Sequence, residues 1–252
     1  MRIGIVQNSA VWEDPDASME KIRAMLKPVL DRKDHVDWLI FPEMALSGFT
    51  MDVVKATAKE HHIRFFREIA RIIPAYVTFG AGVDGSNRSI TVDPQGGIVS
   101  SYAKAHLFSF AGEDQHFRRG ALPLGFSVNE WRVIPAVCYD LRFSYLFWEN
   151  AGDTDVYVII ANWPSSRVHH WRTLLQARAI ENQAFVIGVN RAGTDPHFPY
   201  PGSSLVIDPS GTVICDCGPD EGFSTVSLDR SAIAETRSRF RFLADRIPPT
   251  ER

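Results

Sequence analysis

A thiol, a carboxylate and an amine stand in three separate stretches of the chain, and together they could open an amide. Cys138 ends the apolar run of WRVIPAVCYDLRF, Trp131 to Phe143; Glu43 follows Phe41 and Pro42 in DWLIFPE; Lys104 lies in YAKAHLF. A thiolate is a nucleophile, and an ammonium beside it lowers the thiol pKa and stabilises the oxyanion of an attacked carbonyl. A carboxylate can take the thiol proton, pass it to a leaving amine and then activate the water that clears the thioester. Residue types alone do not force this reading. A free cysteine is usually a small core hydrophobe, and a lone Glu or Lys is usually a surface residue.

Other chemistries draw on the same chain. Eight histidines, among them His106, His116, His169 and His170 in the stretches around these residues, leave a cysteine-histidine hydrolase open. A metal hydrolase would need convergent ligands, whereas the adjacent histidines of HHIRFF and HHW are expected to point apart on a helix. The non-enzymatic alternative is a binding protein.

The elements that must hold these residues alternate strand and helix, then close with a hairpin, and do so twice. In the first half, Arg2 to Gln7 reads as a strand, Ser18 to Asp31 as a helix and Trp38 to Phe41 as a strand. Lys59 to Ile73 is then a helix, Tyr76 to Val83 a strand and Ser89 to Tyr102 a hairpin around DPQG. In the second half, Arg132 to Cys138 is a strand, Phe143 to Ala151 a short helix and Asp155 to Ile160 a strand. Arg167 to Asn182 is a helix, Ala184 to Asn190 a strand, and Ser204 to Ile214 a hairpin around DPSG. Two matching hairpins argue for duplicated halves. The remaining apolar sheet faces are covered by stacking, which predicts an α/β fold, a four-layer α-β-β-α sandwich with pseudo-twofold duplicated halves. Glu43 and Cys138 both sit at strand carboxyl ends, where such sheets collect sites.

Composition bounds the partners. With 45% hydrophobic and 23% charged residues and no shift in composition, the chain reads as one globular domain over 1–252. A net charge of -3 argues against a nucleic-acid partner, and the brief basic clusters at Arg118, Arg119 and at Arg237, Arg239, Arg241 read as solvated faces. The run from Val156 to Ala161 is too short to span a membrane, and MRIGIVQNSA is no signal peptide. Three cysteines cannot form a paired disulfide framework, and Cys215 and Cys217 read as packing residues on one side of a strand. No four-ligand zinc spacing occurs. No metal or other cofactor is expected, and a cytoplasmic location is.

FPEMALSGF around Glu43, YAKAHLF around Lys104 and PAVCYDLRF around Cys138 resemble the three signature segments of the nitrilase, or carbon-nitrogen hydrolase, superfamily in their usual order. The likeness continues through ANWP at 161–164, QARAIENQ at 176–183, NRAG at 190–193 and YPGSS at 200–204, so it covers nearly the whole chain. The resemblance implies that Cys138 is the nucleophile, Glu43 the general base and Lys104 the stabiliser of the tetrahedral intermediate, with the Tyr139 backbone N–H sharing the oxyanion. It implies a second glutamate that places substrate and Lys104, for which Glu113 is the candidate and Asp114 the neighbouring alternative.

CYDLRF with ANWP and ARAIENQ is most similar to the ω-amidase branch, which hydrolyses the terminal amide of 2-oxo acids such as 2-oxoglutaramate. Ser144 stands where that branch commonly has proline, and the segment from Ala75 to Arg88 is short. The resemblance makes Arg142 the ligand of the substrate carboxylate and Trp163 an apolar wall of the pocket. The alternative for Arg142 is a salt bridge to Asp140 or Glu149. An N-carbamoyl or other aliphatic amide remains the alternative substrate class. The resemblance implies a homodimer, built from the helices after Cys138 and Pro164, and Phe143, Tyr145, Leu146, Phe147 and Trp148 are too apolar all round for a helix with one free face; the other use for these residues is core.

Overall fold

Two runs of strands and helices fold into two stacked sheets in the computed structural model, which describes residues 1–32 and 35–247. The span 1–252 read as one domain extends beyond them at 33–34 and 248–252. The first run holds β1 (Arg2–Gln7), α1 (Pro15–Arg32), β2 (Trp38–Ile40), α2 (Val53–Ala56), α3 (Glu60–Ile72), β3 (Tyr76–Val83), β4 (Ser86–Val92), β5 (Ile98–Ala103) and α4 (Glu113–His116). The second holds β6 (Phe126–Val128), β7 (Trp131–Val137), α5 (Ser144–Trp148), β8 (Val156–Ala161), α6 (Val168–Asn182) and β9 (Phe185–Asn190). A small hairpin of β10 (Ala192–Thr194) and β11 (Pro199–Pro201) follows, then β12 (Leu205–Ile207), β13 (Val213–Asp216), β14 (Gly222–Ser227) and α7 (Ser231–Arg239).

The sheet orders are β14-β1-β2-β3-β4-β5 and β13-β12-β9-β8-β7-β6. In each, the central strands run parallel, β1 with β2 and β3, and β7 with β8 and β9. An antiparallel hairpin flanks them on one side, β4-β5 or β12-β13, and one antiparallel strand on the other, β14 or β6. Strand for strand the halves match, as the two hairpins predict. The hairpin turns match too: Asp93 Oδ1 accepts from Gln95 N at 2.9 Å and Gly97 N at 2.8 Å, and Asp208 Oδ1 from Ser210 N at 2.8 Å and Thr212 N at 3.0 Å. Gly96 and Gly211 take the positive φ, 81° and 91°, that each turn needs.

Alternation along the strands makes the four layers. On β8, Val156, Val158 and Ile160 face the other sheet, while Tyr157, Ile159 and Ala161 pack under Trp171, Leu175 and Ala179 of α6. On the other side, Leu39, Val77 and Phe79 lie under Ile22 and Leu26 of α1 and Phe66 and Ile69 of α3. Period 2 on the strands and period 3.6 on the helices thus meet in three apolar seams. Among the described residues no helix is long and apolar enough to cross a membrane.

Several expectations shift. The edge strands β6 and β14 are additions to the sequence reading, and β14 sends the end of the chain back into the first sheet beside β1. The α5 helix is shorter than Phe143 to Ala151, and its Leu146 and Phe147 are core residues under β8, so they give no support to an interface. Tyr145 remains 46% exposed. Cys215 and Cys217 both pack against the seam between the sheets, as expected.

Candidate active site

Cys138 does not belong to β7 but begins the 3₁₀ turn Cys138–Arg142 that follows it. Its φ is 47°, in the left-handed region that a residue with a Cβ occupies only at a cost of about 1–3 kcal/mol. The turn lifts the thiol off the sheet onto the floor of a cleft of about 420 Å³. Met44, immediately after Glu43 in the turn beyond β2, has a φ of 43°, so both halves carry a positive-φ residue past a central strand. Gly80 lets β3 press on the first bend: a Cβ there would lie 2.4 Å from Glu43 Cα, while Gly80 N–H donates to Pro42 O at 3.0 Å.

Behind the cysteine lies a fully buried cluster. Lys104 Nζ is 2.9 Å from Glu43 Oε1 and 2.8 Å from Glu113 Oε2, all three side chains being 0% exposed. Asn87 Nδ2 donates to both carboxylates, at 2.7 Å to Glu43 Oε1 and 2.8 Å to Glu113 Oε1. The other Glu43 oxygen accepts the Asn162 N–H at 2.8 Å, and Phe108 N–H donates to Glu113 Oε2 at 2.7 Å. Two buried carboxylates are tolerable only because one ammonium and these dipoles meet them. Of the two candidates for the second acid, Glu113 is in the cluster and Asp114 is exposed.

The electrostatics differ from the expectation for a lone thiol and ammonium. Burial alone would push the Lys104 ammonium down, but Glu113 and Glu43 outweigh it and hold its pKa above the ordinary range. Burial, joined by the Glu43 carboxylate, pushes the Cys138 thiol well up, and Lys104 opposes this without winning. These influences favour the protonated thiol over the thiolate. A group held as a thiol has to give up its proton to a base in order to attack.

Asp140, unassigned by motif reasoning, joins the cysteine turn to the lysine loop. Its buried carboxylate accepts Val137 N–H at 3.0 Å, Tyr102 O–H at 2.8 Å and His106 N–H at 3.0 Å, and lies 2.7 Å from His106 Nδ1. Of the two alternative partners for Arg142, Asp140 is thus occupied elsewhere and Glu149 makes no ion pair with it. Arg142 turns to the cleft, its Cζ 4.8 Å from the Trp163 ring centroid and 6.0 Å from that of Tyr139, with His170 Nδ1 at 3.3 Å. Among the described residues it has no carboxylate partner. Trp163, 2% exposed, lines the cleft and is pinned by its N–H to Asn190 Oδ1 at 2.7 Å.

No histidine lines this cleft. His106 is spent on Asp140, on Tyr145 O–H and on stacking against Phe143 at 3.8 Å. His61 and His62, expected to point apart, instead converge on Asp16, with ring centroids 4.0 Å apart and the Asp16 oxygen 3.0 Å and 3.6 Å from their Nε2 atoms. Lys59 N–H donates to His62 Nδ1 at 3.1 Å, which leaves Nε2 as the protonated nitrogen of the neutral ring, a donor and not a metal ligand.

Comparison with known proteins agrees with this arrangement. Residues 2–238 match the family model for carbon-nitrogen hydrolase. The chain is 34% identical over 247 residues to the Escherichia coli omega-amidase YafV, covering 95% of this chain and 94% of that one. It is 32% identical to the 2-oxoglutaramate amidase of Bacillus subtilis, with 93% of each covered. A crystal structure of a CN-hydrolase superfamily protein from Xanthomonas campestris, with an arsenic adduct in its active site, superposes with a TM-score of 0.92 at 33% identity over 98% of this chain and 97% of that one. Saccharomyces cerevisiae Nit3, a branch 10 member of the nitrilase superfamily, shares the fold at 20% identity and a TM-score of 0.85, covering 95% and 93%. Sequence, sheet order and the buried Glu-Lys-Glu cluster behind a bent cysteine lead to one conclusion: this chain belongs to the carbon-nitrogen hydrolase family.

Proposed function

We propose that the chain is an ω-amidase, hydrolysing the terminal amide of a short 2-oxo acid such as 2-oxoglutaramate or 2-oxosuccinamate through a thioester at Cys138. The observation that carries the chemistry is the Lys104 ammonium held between Glu43 and Glu113 beside the thiol. Glu43 takes the Cys138 proton as sulfur attacks the amide carbon, forming the C–S bond. Of the three Lys104 N–H groups, two can serve the carboxylates, leaving one to join the Tyr139 N–H on the oxyanion. Collapse breaks the C–N bond, and the proton on Glu43 leaves with ammonia. Glu43 then deprotonates water, which attacks the thioester carbon, and the acid departs as the thiol is restored. Glu113, paired with Lys104 Nζ at 2.8 Å, acts by positioning Lys104.

The substrate reading rests on Arg142, a guanidinium over an indole with no carboxylate partner among the described residues, in a cleft lined largely by aromatic rings, together with the names of the relatives above. A guanidinium matches a carboxylate bidentately. In Arg142→Met, kcat/KM on 2-oxoglutaramate should fall about 30- to 1000-fold, with little change on butanamide. An equal loss on both would reduce Arg142 to a support of the fold.

The same reading places one domain over 1–252 in the cytoplasm, where a nucleophilic thiol stays reduced. It includes a homodimer through α5 and α6, whose Tyr145 and Ile180 remain 46% and 47% exposed. Light scattering at micromolar concentration should give twice the 28.3 kDa chain mass, and a monomer mass would rule the dimer out.

A further inference from the structure

We propose that Arg167 reads the substituent on C2 of the substrate, donating to a 2-oxo oxygen and turning away a 2-ammonium group; this rests on the ω-amidase reading above. Arg167 ends the loop after β8, directly before α6. Its backbone is fixed from both sides, the carbonyl accepting Trp163 Nε1–H at 2.7 Å and the N–H donating to Pro164 O at 3.0 Å. The guanidinium stands in the cleft wall over Phe108, its Cζ 5.4 Å from the ring centroid. No carboxylate meets it among the described residues. Trp163 therefore serves two arginines: its ring lies under Arg142, and its indole N–H holds the Arg167 backbone.

Two guanidiniums in an aromatic cleft with no acid among its lining residues need more than one acceptor from the ligand. A short 2-oxo acid amide offers three sets of oxygens. The amide oxygen goes to Lys104 and the Tyr139 N–H, and the carboxylate to Arg142. The C2 oxygen is what remains for Arg167. An ammonium at C2 would bring a third positive charge to the two already there, with nothing of opposite sign on the wall to offset it. The amide of a 2-amino acid, such as glutamine, is thereby rejected although it carries the same carboxylate and the same amide.

The test compares kcat/KM on 2-oxoglutaramate, on glutaramate, which keeps the acid but has a methylene at C2, on L-glutamine and on butanamide. Arg167→Met should lose about 10- to 100-fold on 2-oxoglutaramate and stay within about threefold of wild type on glutaramate. Arg167→Glu should raise the ratio of glutamine to 2-oxoglutaramate turnover by about tenfold or more, a gain that misfolding cannot produce. Equal losses on 2-oxoglutaramate and glutaramate, or no change in either ratio, would overturn the proposal while leaving the ω-amidase reading standing. A wild-type enzyme that favours butanamide over 2-oxoglutaramate would overturn both.

Discussion

Replacing Cys138 with alanine should stop ammonia release, lowering kcat/KM by about 10⁴-fold or more, because a methyl group cannot form the C–S bond. The fold should persist. The volume change is small, and alanine meets the same backbone requirement at a φ of 47° as cysteine does. Cys138→Ser should fail as well. Burial and the Glu43 carboxylate already hold the thiol above its ordinary range, and a hydroxyl in that setting is harder still to deprotonate. A coupled ammonia assay beside a thermal melt separates chemistry from folding. Wild-type turnover in either variant would sink the cysteine mechanism.

The second large effect is expected at Glu43. Glu43→Gln removes the base and should cost about 10³-fold or more in turnover. It also takes away a carboxylate that pushes the thiol up, so the cysteine itself becomes easier to ionise while the water that clears the thioester loses its base. Deacylation should then lag acylation. Intact-mass measurement after mixing with 2-oxoglutaramate should find the acyl group retained on the protein. The change is not silent structurally, because both oxygens of Glu43 accept: Oε1 from Asn87 and Lys104, Oε2 from the Asn162 N–H. The amide NH₂ of glutamine must face one of these donors, costing about 1–3 kcal/mol of stability. Turnover within tenfold of wild type would remove Glu43 from the base role.

What was legible in the sequence is what local chemistry announces. Cys138 and Glu43 stand where an apolar run turns abruptly polar, and Lys104 stands just after the first hairpin in YAKAHLF, a segment that resembles a family signature, so all three are visible without a structure. Asn87 is not. In SNRSITV it reads as one more residue of a strand, and its role in bridging Glu43 and Glu113 arises from where β4 lies against β3 and from a loop twenty-odd residues onward. Arg167 read as the first residue of a helix, and only the packing of that loop on Trp163 and Phe108 turns it into the cleft. Asp140 belonged to a motif, but besides nearby Val137 its partners are Tyr102 and His106, 38 and 34 positions away in the chain. The strand β14 was passed over because its residues are half-buried and largely small or polar, giving no strong period, and its partner is at the opposite end of the chain.

That partner has a bearing on how the protein is made. β14 runs beside β1 from Arg2 opposite Ser227 to Gln7 opposite Gly222, and Met1 and Leu228, 227 positions apart, exchange backbone hydrogen bonds. Synthesis makes β1 long before β14, so the outer edge of a strand carrying Ile3, Ile5 and Val6 has no mate until the strands of the second sheet have been made. The first sheet cannot be finished ahead of the second. For the whole of that interval an apolar edge of the kind that recruits other strands stands open on the nascent chain. The halves are alike in order, yet the first becomes complete only after every strand of the second has been made.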